Sequence, residues 1–329
     1  MKGRRSRRVH RESIALLPRS LMHDHAKGRE RSMWRRMRSW LPLLLLAAPA
    51  AAAPAEPIRF RFAAHAPVLL AEGRIGAERR RVSVVIDTGA TAHFPLFLSA
   101  DLAARLRLRP SSEVFPFDST AIGPERQSYR TARLDSFELG SVQLEDAEVA
   151  IAPLVDRLGQ ALRRPVDVIV GQDFLDGRVV AIDYRRRRLD LDASRPDAQP
   201  IPFRFAPARK LLLVEARVNG AGPFTFEIDT GSSGTLLSPR AAAAAQVVRR
   251  GEGVQHGAGG SVRVGIGSAD VSFGGLTRSL HGIAISDTIE GVGAAAGSRI
   301  DGIIGFDFLA GTRLTIDYPG KRLWLAEPR

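Results

Sequence analysis

The chain has 329 residues, 44% hydrophobic and 25% charged, with a formal net charge of +13 and no cysteine. That length supports two lobes with a real core, and the lack of cysteine excludes disulfides, thiolate metal sites and cysteine nucleophiles. The positive charge suggests a nucleic-acid partner, but residues 1–38 hold thirteen Lys and Arg against three acidic residues, leaving a net charge of only +3 beyond them. The body therefore has no electrostatic footprint for nucleic acid, and the Arg185–Arg188 run reads as a solvated turn.

In chain order, the first 55 residues form a basic leader that ends in the three parts of a secretory signal. Trp34-Arg35-Arg36-Met37-Arg38 is the positive region, Trp40 to about Ala48 the apolar region, and Ala53-Pro54-Ala55 a small-x-small cleavage site that would release a chain beginning near Glu56. The apolar run is shorter than the ~20 residues of a spanning helix and is broken by Pro42 and Pro49, so cleavage is favoured over retention as an anchor. The surroundings of the paired arginines fit a twin-arginine signal poorly. Residues 1–32 show no folding pattern, and Met33 is an alternative start. Export to the periplasm or outside the cell is the expected location, with membrane contact only through an uncleaved signal.

The remainder repeats itself. Val166-Asp167-Val168-Ile169-Val170-Gly171-Gln172-Asp173-Phe174-Leu175 is matched by Ile300-Asp301-Gly302-Ile303-Ile304-Gly305-Phe306-Asp307-Phe308-Leu309, an offset of 134 that also joins Gly140 to Gly274 and Ile182-Asp183-Tyr184 to Ile316-Asp317-Tyr318. Upstream, Ile86-Asp87-Thr88-Gly89 matches Ile228-Asp229-Thr230-Gly231 at an offset of 142, so the first copy carries eight extra residues between these blocks. The copies span 56–192 and 203–329, with a proline-rich linker at 193–202.

Within each copy the coarse reading is mostly strand. Val82–Ile86 and Phe224–Ile228 are β-rich runs that end at an Asp-Thr-Gly. One helix follows each: Ser99 can cap Ala100–Leu106, and Ser238 with Pro239 can open Arg240–Val247. Glycine-punctuated strands come next, including Ser261–Ile266 and Val271–Phe273, and each copy closes with a strand (Val179–Tyr184, Arg313–Tyr318) and a short final one.

Asp-Thr-Gly alone is a weak signal, and aspartate is also a common turn former. Asp167/Asp301, Asp173/Asp307 and Asp183/Asp317 recur just as faithfully and read as caps and turns. Only Asp87 and Asp229 precede Thr-Gly after an apolar strand, and each is followed at similar distance by an apolar-apolar-Gly, ending at Gly171 and Gly305. That constellation resembles the aspartic protease family, in particular its bacterial retropepsin-like branch with two half-sites in one chain, over nearly all of residues 66–329.

The resemblance implies a mainly β, bilobal acid-protease fold: two duplicated β-barrel-like lobes with one or two short helices each. It implies Asp87 and Asp229 as catalytic carboxylates and Thr88 and Thr230 as hydrogen-bonding ties across the lobe interface. Gly89, Gly231 and Ser232 would support the pair, and Gly171 and Gly305 would admit the strand beside each Asp-Thr-Gly loop. It further implies a peptide or protein substrate, no cofactor or metal, and a monomer, because both half-sites lie in one chain. The Gly251–Gly267 segment, with Gly257, Gly259 and Gly260, sits where a substrate-covering flap would lie. Its counterpart is about Phe115–Arg133, with a turn at Ile122-Gly123-Pro124 and Tyr129 either facing substrate or packing.

Two positions depart from the family pattern. Ala90 follows the first triplet and Ser232 the second, so a hydroxyl can reach one carboxylate and not the other. His93 stands six residues past Asp87 where the second copy has Thr235, as a surface or packing histidine or a group that tunes the pair. Other chemistries fit less well: His65, His93, His256 and His281 are scattered without zinc spacing, no Gly-x-Ser-x-Gly elbow is present, and Gly257-Ala258-Gly259-Gly260 is not followed by Lys-Ser/Thr. The rival to an endopeptidase is an inactive protein that keeps the cleft to bind peptides or envelope partners.

Overall fold

In each copy a β-hairpin rich in branched and aromatic residues delivers the Asp-Thr-Gly to the end of a strand. Leu69–Ile75 pairs antiparallel with Arg80–Ile86, and Leu212–Val218 with Ala221–Ile228, the second with a register shift between Ala216 and Val218. Alternation sends Val82, Val84 and Ile86, and likewise Phe224, Phe226 and Ile228, into one continuous core. The computed structural model describes residues 56–64, 66–117, 127–257 and 259–327. The leader, the signal and the Ile122-Gly123-Pro124 turn lie outside the described residues.

Each hairpin opens a barrel of six strands. In the first, Leu69–Ile75, Arg80–Ile86, Val168–Val170, Leu96–Leu98, Val142–Ile151 and Gln127–Leu139 are paired in that order, and the last returns to the first. In the second, Leu212–Val218, Ala221–Ile228, Gly302–Ile304, Leu236–Leu237, Leu276–Ile285 and Gly260–Phe273 close in the same way. The fold is thus mainly β and built from two duplicated barrel-like lobes.

A third, six-stranded sheet joins the lobes, in the order Ile58–Arg59, Arg188–Asp190, Val179–Asp183, Arg313–Asp317, Arg322–Ala326, Ile201–Pro202. At its centre Val179–Asp183 of one copy lies antiparallel to Arg313–Asp317 of the other, with Ala181 opposite Thr315. The segment read as a linker ends inside this sheet, because Ile201 pairs with Leu323.

The helices are α1 (Ala100–Arg105), α2 (Pro153–Ala161), α3 (Gln172–Leu175), α4 (Pro239–Ala244), α5 (Thr288–Ala296) and α6 (Phe306–Leu309). The two expected caps are in place, Ser99 accepting from the Leu102 amide and Ser238 from the Ala241 amide. α4 stops short of the expected Val247, since the chain enters the Val248–Gly257 strand directly afterwards. α2 and α5 are additional: each packs against a small apolar cluster on the face of its hairpin turned away from the main core, which includes Val85, Phe97 and Ile169 in the first lobe and Leu213, Leu236 and Ile303 in the second. The eight-residue excess divides between two places: Asp87 to Ser99 is three residues longer than Asp229 to Ser238, and the rest falls before Phe137.

The other repeated aspartates anchor backbone. Asp167 and Asp301 accept the amides of Ser83 and Thr225 and pair with Arg105 and with Arg240 and Arg299. Asp183 and Asp317 close the turns at Arg186 and Gly320. Asp173 pairs with Lys210, and Asp307 accepts from the Thr235 hydroxyl at 2.6 Å.

Candidate active site

Asp87 and Asp229 each continue a strand by one residue. Their amides donate to Val170 and Ile304, so the apolar-apolar-Gly strand holds the backbone of each aspartate in place. Beyond them the chain turns sharply. The Gly89 and Ala90 amides donate to Asp87 Oδ1 at 2.9 and 3.1 Å, and the Gly231 amide to Asp229 Oδ1 at 2.8 Å. The turn is possible only because Gly171 and Gly305 carry no side chain. A methyl at Gly171 would lie 2.5 Å from the Ala90 carbonyl oxygen, and one at Gly305 would overlap the Gly234 carbonyl.

Thr88 and Thr230 tie the two turns together by a reciprocal exchange. Each amide donates to the other's hydroxyl at 3.0 Å, and the hydroxyls donate onward to the Ile228 and Ile86 carbonyls at 2.8 and 3.0 Å. Both threonines are buried, so all four bonds are shielded from water. The two aspartates, 142 residues apart, are thereby brought within hydrogen-bonding reach of each other. Gly89 and Gly231 have a second role here. A methyl at Gly231 would fall 2.6 Å from the Asp87 carboxyl, and one at Gly89 would fall 2.9 Å from that of Asp229. Each glycine makes room for the carboxylate of the opposite lobe.

Both carboxyls are half-buried, keeping some solvent contact within largely protein surroundings. Burial raises the pKa of each, and the charge of Asp229 raises that of Asp87 further. Backbone amides pull the other way at both, those of Gly89 and Ala90 at Asp87 and that of Gly231 at Asp229. Two carboxyls so close together retain one proton between them, because ionising both would place like charges side by side.

The Ser232 hydroxyl does not donate to Asp229. It donates to the Gly234 carbonyl at 2.8 Å, because the turn closes over it, and Ser232 supports Asp229 through its backbone amide alone. The Ala90/Ser232 difference is therefore not what separates the halves. His93 is exposed, with a left-handed φ of 62°, which places it on the surface.

The two flap segments form hairpins. Val248–Gly257 pairs with Gly260–Phe273, Gly257 facing Gly260, while Gly259 lies in the turn and Gly260 adopts a φ of 112° that favours glycine. In the first lobe Phe115–Phe117 pairs with Gln127–Leu139. Tyr129 lies on this hairpin, its ring stacked on Phe115 at 5.4 Å and edge-on to Phe94 at 5.3 Å, so it packs the hairpin onto the loop that follows Asp87.

One ionisable residue beside the pair lies outside the motif. Glu227 is 3% exposed and sits two residues before Asp229, where the first copy has Val85. Its carboxyl is held well above the ordinary range by burial and then by the charges of Asp229 and Asp87. Its signal in the sequence is the alignment of Val82–Ile86 with Phe224–Ile228, where Glu227 alone puts a charge in a buried strand. Among the described residues no group of three or more His, Asp or Glu is arranged to hold a metal ion.

A comparison with curated proteins finds no match to the chain. The aspartyl protease family model matches twice, over residues 71–174 and 214–308, each match taking in one Asp-Thr-Gly and one apolar-apolar-Gly. With more than half of its length matched and the two half-sites placed face to face, the chain belongs to the aspartyl protease family.

Proposed function

We propose that the chain is an endopeptidase that hydrolyses peptide bonds with a water activated by Asp87 and Asp229. The observation that carries this reading is the pairing of the two carboxyls, aligned by Thr88 and Thr230 and partly open to solvent. At about 3 Å and an effective dielectric near 20, two ionised carboxylates repel by roughly 5 kcal/mol. The pair therefore keeps one proton, and two identical side chains take opposite roles. The ionised carboxyl accepts a proton from the water. The protonated carboxyl donates to the substrate carbonyl as the water adds. A proton then passes to the departing nitrogen, and the carbon–nitrogen bond breaks. Sharing one proton between two carboxyls is the general pattern of aspartic proteases, and the resemblance brings it to this pair.

The composition of the leader supports export, with release near Glu56, and a single chain that holds both half-sites supports a monomer. The test is cleavage of a diverse peptide library by residues 56–329 from about pH 3 to about pH 8. Asp87→Asn and Asp229→Asn should each remove roughly 1,000-fold of the activity or more while leaving the thermal unfolding transition in place. A folded wild type that cleaves nothing at any pH, yet retains peptides, would establish the inactive binder instead.

A further inference from the structure

The two strands that lead into the dyad differ in charge at one position. Val85 and Glu227 stand two residues before the paired aspartates, on matched strands. Residues two apart on a strand share a face and lie about 7 Å apart, so Glu227 shares the face of Asp229 as Val85 shares that of Asp87. In the first lobe this face is apolar: Val85, Phe97 and Ile169, continuing to Ala90, Phe94 and Tyr129 on the loop and hairpin around the site. In the second lobe Leu213 and Ile303 flank Glu227 in register, with Leu236 next to Ile303.

Glu227 accepts no hydrogen bond and has no ion pair among the described residues. The residue keeps only 3% of its surface exposed. An unpaired carboxyl in apolar surroundings is costly unless something joins it. The charged groups around it do not. Asp229 and Asp87 have the wrong sign. Asp301, on the same face of the neighbouring strand, is neutralised by Arg240 and Arg299. Glu215 of the Leu212–Val218 strand and Asp287 and Glu290 at the start of α5 are also acidic. Lys210, from the turn before Leu211, is held by Asp173 and Asp176, and Arg209 reaches the Thr91 carbonyl.

We propose that Glu227 is a specificity-determining residue: it receives a lysine or arginine side chain of the substrate on one side of the scissile bond, where the matched position of the first lobe holds the apolar Val85. This rests on the endopeptidase reading of the same cleft. Apolar walls with one carboxyl suit a long aliphatic stem that ends in a cation, as no fully apolar or fully polar side chain would. Without a cation beside it burial disfavours the ionised form of the carboxyl; a substrate ammonium or guanidinium stabilises that form.

The test separates binding from cleavage. Positional libraries of short peptides carrying lysine or its uncharged isostere norleucine are bound to the Asp87→Asn protein, alone and with Glu227→Gln or Glu227→Val. At one position lysine should bind about tenfold more tightly than norleucine with Glu227 present. The ratio should fall to near one with Gln, which keeps the shape, and invert with Val. Equal ratios in all three proteins overturn the proposal, including the case where only the pH profile of cleavage changes in Glu227→Gln. The otherwise wild-type protein is then tested for cleavage of the same libraries. Discrimination without cleavage keeps this subsite and removes the endopeptidase; cleavage without discrimination does the reverse.

Discussion

Tyr318 and Tyr184 occupy matched positions in the two copies, and only Tyr318 has a hydroxyl partner among the described residues, the Gln172 side-chain oxygen at 3.4 Å. Phe306 stands opposite Tyr184 where Gln172 would have to be, its ring centroid 6.0 Å away. The Tyr184 hydroxyl is thus buried without compensation, and burial together with the charge of Asp229 drives its pKa upward. Replacing Tyr184 with Phe should leave stability unchanged or raise it by up to about 1 kcal/mol, while Tyr318→Phe should cost about 0.5–1.5 kcal/mol. Urea unfolding of the two variants checks this; equal losses would show that Tyr184 has a partner after all.

The threonine exchange predicts a strong, non-additive effect. Thr88→Val keeps the shape but leaves the Thr230 amide and the Ile228 carbonyl buried and unpaired, at a cost of about 2–4 kcal/mol. Thr230→Val removes the mirror pair of bonds. The double variant should lose clearly less than the sum, since the four bonds form one network. Thr88→Ser, which retains the hydroxyl, should stay within about 1.5 kcal/mol of wild type. Full additivity in a double-mutant cycle would count against the network.

Glycines at the site should separate stability from activity. At Gly305 an alanine methyl meets fixed backbone at Gly234 and Ser232, so Gly305→Ala should destabilise the fold by about 3 kcal/mol or more. At Gly231 the atoms nearest the methyl are the end of the Asp87 side chain, which can turn aside where backbone cannot. Gly231→Ala should therefore unfold near the wild-type temperature, yet lose roughly a hundredfold or more in kcat by parting the carboxyls. Comparable activity in Gly231→Ala and wild type would mean that the pair tolerates separation.

Stability should respond to pH in opposite ways at two carboxyls. Asp317, fully buried against Arg195 and Arg322, is lowered to about 2. Its contribution is present above its unfolded value of about 4 and is lost as pH falls toward the folded one, a change of about 1–2 kcal/mol after allowing for its half-exposed arginine partners. Glu227 is raised, so its stabilising protonation is complete below about pH 4 and is lost as pH rises through its folded value. Thermal melts should show Asp317→Asn weakening the fold near pH 6 with the gap closing toward about pH 2, and Glu227→Gln strengthening it near pH 8 more than near pH 4. Parallel curves for wild type and either variant would contradict the assignment.

Comparing the two copies locates the aspartates, threonines and glycines because each lies in a short local motif tied to a sharp turn. The Ser99 and Ser238 caps are legible for the same reason. α2 and α5 are not: each is nine residues long, and the Gly-Ala-rich Thr288–Ala296 has little periodicity to recognise. The interlobe sheet is also hidden, since pairing Ala181 with Thr315 joins residues far apart in the chain. Ser232 misleads because a hydroxyl next to a carboxylate looks like its donor until the turn shows the Gly234 carbonyl to be nearer in geometry. Glu227 goes unmarked because the motif begins one residue after it.

The antiparallel pairing of Val179–Asp183 with Arg313–Asp317 also bears on when the site comes into being. The first barrel holds all of its own strands by residue 170 and can close early as the chain emerges. The edge of Val179–Asp183, however, stays open until residues 313–317 arrive. Domains fold as units during synthesis, first halves first, so Asp87 waits without its counterpart for most of that interval. A chain interrupted before residue 302 would lack the last strand of the second barrel, and with it the Ile304 carbonyl that holds the Asp229 amide. The meeting of the two aspartates is thereby tied by topology to the arrival of the second barrel's last strand.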